Sequence, residues 1–136
     1  DVPTASERQA LIETIDAALK AAPRPEGELV GIAGTVTSLC AISLGLDAYD
    51  ADRVHGQRLS RAEVEQVVER LGTMSGDERR RIPRLDPRRA DVLYAGGMIL
   101  CRVLARSSPD FAGDAVTVSD RGVRWGLAYE LLDKRG

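Results

Sequence analysis

Residues 29–46, "LVGIAGTVTSLCAISLGL", decide how the rest of the chain is read. Aliphatic Leu29 and Val30 run into Gly31, Ala33 and Gly34, and an apolar run begins directly after Thr35. A short apolar run bounded by glycine reads as a buried strand over 29–33. The longer run after it reads as a helix over 35–44, with Gly45 placed as its terminating cap. A strand that turns into a helix this tightly leaves free backbone N–H groups beside the positive end of a helix dipole, the outline of an anion site. The hydroxyls of Thr35 and Thr37 add donors; the plainer alternative is that Thr35 only caps its own helix. The turn departs from two nucleotide-binding signatures. Ala33 stands where the dinucleotide fingerprint needs glycine, and the lysine of a P-loop is missing.

Upstream, Leu11, Ile15 and Leu19 share one stripe, so 6–22 is expected to be an amphipathic helix broken by "PRPEG". Downstream, 54–59 reads as an extended edge segment. The sequence "LSRAEV" then opens a helix: Ser60 caps it, Glu63 sits three residues on, and Leu59 and Val64 form a hydrophobic staple. Val64, Val67, Val68 and Leu71 supply the buried stripe. Ser75 and Glu78 repeat the capping pattern in a short helix that Pro83 ends. Asp86-Pro87 opens a helix to about residue 106, apolar nearly all round and so expected to be packed on several sides. Gly96-Gly97 at its middle implies close approach of a neighbouring strand or helix, with approach of a ligand as the alternative. "AVTVS" (115–119) is a second strand and 123–132 a final helix, with Ser119 or Asp120 as its cap and Trp125 and Tyr129 on one core or interface stripe. This order is α/β with parallel connections. Two clear strands do not make an independent sheet, so some strands are expected to lie outside the chain.

At 136 residues the chain is sized for one domain, and its net charge of −2 gives nucleic acid no general attraction. Its longest apolar run, 92–101, is too short to cross a membrane. Without a basic-then-apolar leader it reads as cytoplasmic, and the start at "DVPTASE" reads as a piece of something longer. Cys40 and Cys101 read as buried thiols, and no spacing suggests a metal site. "RRRIPRLDPRR" (79–89) carries six Arg against one Asp. It is either a solvated connection or a strip whose Arg88 and Arg89 contact a polyanion. His55 before Gly56 reads as a structural turn or a satisfied hydrogen bond, with a general base as the alternative, and Tyr49 and Tyr94 carry no message.

Three segments, "VGIAGTVTSLCAISLGLDAYDADRVHGQRLSRAEV" (30–64), "LDPRRADVLYAGGMIL" (85–100) and "VSDRGVRWGLAYE" (118–130), resemble in order the exopolyphosphatase/guanosine-pentaphosphate phosphohydrolase (Ppx/GppA) family. The resemblance implies the actin/sugar-kinase/Hsp70 architecture of two ribonuclease-H-like domains facing a cleft. Residues 1–136 would be most of the second domain without its first strands, and 47–114 a mainly helical insertion. It also implies Mg²⁺-assisted attack of water on the terminal phosphorus of polyphosphate or guanosine pentaphosphate. The family's catalytic glutamate and phosphate loops precede the matched region. No catalytic residue or metal ligand is therefore expected here, and the chain alone is expected to be inactive. Gly34 and Thr35, with the amide of Val36, are expected to hold a phosphate oxygen. Implied partners are the substrate, the missing N-terminal lobe and a second copy in a homodimer. The competing class of function is a catalytically silent lobe that binds phosphate or nucleotide, or that dimerises.

Overall fold

The computed structural model describes residues 1–83, 85–107 and 114–134. Its first half runs α1 (Ala5–Lys20), β1 (Leu29–Ile32), α2 (Gly34–Ser43), α3 (Ala51–Val54), β2 (Arg58–Ser60) and α4 (Arg61–Gly72). The second runs α5 (Gly76–Arg80), a 3₁₀ turn (Pro87–Arg89), α6 (Ala90–Arg106), β3 (Ala115–Ser119) and α7 (Val123–Asp133).

β3 is the central strand of a three-stranded sheet, parallel to β1 and antiparallel to β2. The segment expected as one extended edge is thus divided: its first residue ends α3 and only Arg58–Ser60 forms a strand. Leu29 pairs with Val116 and Gly31 with Val118, while Leu59 pairs with Val116 from the other side. On the covered face Val116 and Val118 are buried with Leu39, Val64, Val68, Leu93 and Leu104, so α2, α4 and α6 share one core with the sheet. The opposite face is bare: Val30 and Ile32 are 52% and 48% exposed. α6 is less enclosed than its composition predicts, because Val92 and Ile99 lie on an uncovered side.

Gly96 and Gly97 face close neighbours, as expected. A Cβ on Gly96 would lie 2.9 Å from the Thr35 side chain, and one on Gly97 2.5 Å from Val68 Cγ2. Both cysteines are free and buried, and burial pushes each thiol up to about 11. α1 buries only Ile15; a two-pronged pair from Arg102 to Asp16, at 2.7 and 2.8 Å, fastens it to α6.

The capping signals are built as read. At α4, Glu63 N–H donates to Ser60 Oγ at 3.2 Å, while Ser60 N–H and Oγ–H donate to Glu63 Oε2 at 2.8 and 2.7 Å. The backbone bond, then the hydroxyl bond, hold the Glu63 carboxyl below its ordinary 4.5. A depressed folded-state value contributes stability above the unfolded value, lost as pH falls through the folded one. Ser60→Ala is therefore expected to cost about 1 kcal/mol at neutral pH. In urea titrations at decreasing pH, its deficit should narrow below about pH 4.5.

Candidate functional site

The turn after β1 is shaped by its backbone. Ala33 takes φ 69°, the left-handed region that alanine rarely enters, and serves as N-cap of α2 without a side-chain bond. Thr35 therefore does not cap the helix. The amides of Gly34, Thr35 and Val36 have no acceptor among the described residues, as the first turn of a helix dictates. Beside them Ala33 and Gly34 line a cavity of about 670 Å³ whose other walls are Tyr49, the Asp86–Arg89 turn and the start of α7.

The candidate residues are distributed unequally around this opening. Gly34 lines it, and the space a Cβ there would need is occupied by the Arg89 guanidinium. Thr35 points elsewhere, its side chain against Gly96 and a smaller cavity beside Val92. Val36 is buried below Gly31, leaving only its amide for a ligand. Thr37 lines the opening, but its hydroxyl is close to Ala33 O at 3.2 Å and Gly34 O at 3.3 Å and is spent on them.

The arginine strip divides by role. Arg79 is buried under α4, Arg80 pairs with Asp77 and Asp91, and Arg84 lies outside the described residues. Arg88 is turned to Asp86 at 3.0 Å, which lowers the Asp86 carboxyl, and its side chain is otherwise 90% exposed. Arg89 has no carboxylate partner among the described residues.

Tyr49 and Asp120, unassigned or assigned otherwise from sequence, meet at the rim. The Tyr49 hydroxyl donates to Asp120 Oδ1; burial and then this contact push the phenol up to about 12. Asp120 does not cap α7, whose N-cap is Gly122. Ser119 Oγ instead accepts from Arg121 N–H at 3.2 Å and lies 3.5 Å from His55 Nδ1. Trp125, half exposed, stands at the same rim with the Arg121 guanidinium 5.4 Å from its ring. It is not a core residue, and no residue of α7 is buried.

The profile of the Ppx/GppA phosphatase family matches residues 1–135. The chain belongs to this family. It is 36% identical over 137 residues to exopolyphosphatase 2 of Mycobacterium tuberculosis, a match covering 96% of this chain and 43% of that protein. The Aquifex aeolicus Ppx/GppA family member superposes with a TM-score of 0.86 at 29% identity, over 100% of this chain and 44% of the other. An exopolyphosphatase from Cytophaga hutchinsonii gives 0.78 at 22% identity, covering 98% and 44%, a likeness of fold. The fold is thus α/β of the actin-like, ribonuclease-H-like kind. This chain spans about two fifths of the length of the relatives it matches.

The Mg²⁺ implied by the resemblance finds no cage here. Among the described residues no three His, Cys, Asp or Glu side chains converge. Of the two carboxylates at the opening, Asp86 is paired with Arg88 and Asp120 accepts one bond from the Tyr49 hydroxyl. No helix of the described residues is long and apolar enough to cross a membrane.

Proposed function

We propose that this chain is one lobe of a cytoplasmic phosphoanhydride hydrolase that releases terminal phosphate from inorganic polyphosphate or guanosine pentaphosphate. On this reading it forms most of the second actin-like domain, with 47–114 as its inserted, mainly helical block. It supplies a wall that holds phosphate, while the groups that activate water and bind Mg²⁺ belong to the rest of the protein. No step of the reaction is assigned to a metal on this chain. Its residues bind and orient: the amides of Gly34, Thr35 and Val36 donate to one oxyanion, and Arg89 adds a charge.

The observation that carries the reading is the position of Arg89. Its guanidinium lies against Gly34 at the positive end of α2, where cation and dipole repel each other. An anion between them turns both into partners. The bare sheet face at Val30 and Ile32, together with the exposed apolar residues of α7, supports association with the missing lobe or with a second copy.

Titration of the 136-residue chain with tripolyphosphate, alongside a phosphate-release assay with Mg²⁺, tests this. Salt-sensitive binding without turnover is expected, and Arg89→Glu should weaken it by about tenfold or more. Turnover by the chain alone would overturn the division of labour. Equal affinity in Arg89→Glu would overturn the site.

A further inference from the structure

One hydroxyl in the opening has no occupation within the protein. Ser38 is 6% exposed, lines the same cavity as Gly34 and Arg89, and makes no hydrogen bond to any described residue. A buried hydroxyl without a partner is costly, and native interiors seldom keep one. Local rescue is also missing. Thr37, its neighbour, reaches back to Ala33 and Gly34, whereas Ser38 reaches no carbonyl.

Helix geometry says where the hydroxyl is useful. Ser38 lies four residues after Gly34, on the same face of α2, and side chains of a helix lean toward its N-terminus. Its hydroxyl therefore overhangs the turn whose amides are free. Thr35, the obvious candidate by sequence, is directed at Gly96 on α6 and cannot serve the same space. The charges of the opening favour an acceptor. Asp86 is paired with Arg88, whereas Asp120 accepts from the Tyr49 hydroxyl and keeps its charge; Arg89 and Arg124 have no carboxylate partner among the described residues, so two unpaired cations and the free amides outweigh one carboxylate.

We infer that Ser38, rather than Thr35, is the side-chain hydroxyl that recognises the anionic ligand, donating to an oxygen of a phosphate group held at the start of α2. This rests on the phosphate-holding reading proposed above and adds a residue to it. The hydrogen bond fixes the anion's position beside the helix; it takes no part in bond breaking.

The test compares wild type, Ser38→Ala and Ser38→Cys by calorimetric titration with tripolyphosphate and by thermal melting. Alanine removes the donor, while cysteine preserves the bulk and offers only a weak one. Both variants are expected to bind on the order of tenfold more weakly, since a hydrogen bond to a charged acceptor is lost. Ser38→Ala should melt no lower than wild type, because it deletes an unsatisfied group. Unchanged affinity in Ser38→Ala while Arg89→Glu loses binding would overturn this inference and leave the site standing. Loss in alanine but not in cysteine would make the residue a spacer and overturn it. So would loss in Thr35→Ala with none in Ser38→Ala. No tripolyphosphate binding by wild type would remove both readings together.

Discussion

Arg79→Ala is expected to lower the unfolding free energy by about 3 kcal/mol, read as a shift of the urea midpoint at unchanged slope. The residue stands in a run of arginines, yet only 6% of it is exposed. Its Nε donates to Leu71 O in the last turn of α4 and its Nη2 to Met74 O just beyond the helix, each at 2.9 Å. The Tyr94 ring lies 5.3 Å from Cζ on the other side. Burial draws its pKa down from the ordinary value, and a guanidinium stays charged through such a shift. The cation is thus held by the negative end of a helix and an aromatic face. Truncation takes the charged donor from both carbonyls, leaving Leu71 O with the Met74 N–H at 3.2 Å and Met74 O without a partner among the described residues; a bond to a charged donor is worth about 1.5–3 kcal/mol, and a void opens beside Tyr94. Arg79→Lys should recover less than half, because an ammonium cannot span both carbonyls in one plane. A loss below about 1 kcal/mol for alanine would show that other donors reach those carbonyls.

That role was closed to sequence reading for a physical reason. An arginine's type says exterior, and only the end of α4 with the turn after it supplies the carbonyls that make an interior site for it. What the chain encodes locally was open. The Ser60–Glu63 and Ser75–Glu78 boxes need only residues three apart, and both formed. Gly45, at φ +63°, ends α2 where its position suggested. β2 was legible in part: the extended edge read over 54–59 is an edge strand, but confined to Arg58–Ser60, because Val54 closes α3 and only these three residues are in strand register with β3.

The site divides along the same line. Gly34 and the free amides follow from strand, turn and helix in order, so their presence was legible. Which hydroxyl faces outward depends on how α2 is rotated against α6. The contact of Thr35 with Gly96 sets that rotation, across 61 residues of sequence (96 − 35). Tyr49 and Asp120 are 71 apart and meet only because α2 and β3 are neighbours in the fold. α7 had the composition of a core helix, but the described residues offer it no face to bury against.

The second large effect comes from adding one methyl group. Gly97→Ala is expected to destabilise by about 2 kcal/mol although alanine is the better helix former by about 1 kcal/mol. The new Cβ would sit 2.5 Å from Val68 Cγ2 and 3.6 Å from Leu39 Cδ2. Val68 is 2% exposed and β-branched on a helix, so it has no second rotamer to retreat into. α4 and α6 must separate, and the core they share with β3 loses contact. Gly126→Ala makes the same chemical change in α7, where nothing lies within 4 Å of the added atom. It should stabilise by up to about 1 kcal/mol. Opposite signs in paired thermal melts would establish that the α4–α6 crossing, rather than glycine's backbone entropy, sets the outcome. Displacement of α6 also has a consequence at the opening, because Arg89 is the residue directly before its first turn. Gly97→Ala should therefore weaken tripolyphosphate binding severalfold while Gly126→Ala leaves it unaltered. A neutral Gly97→Ala would mean that the two helices can part freely, and that Arg89 is not held against Gly34 by the packing of α6.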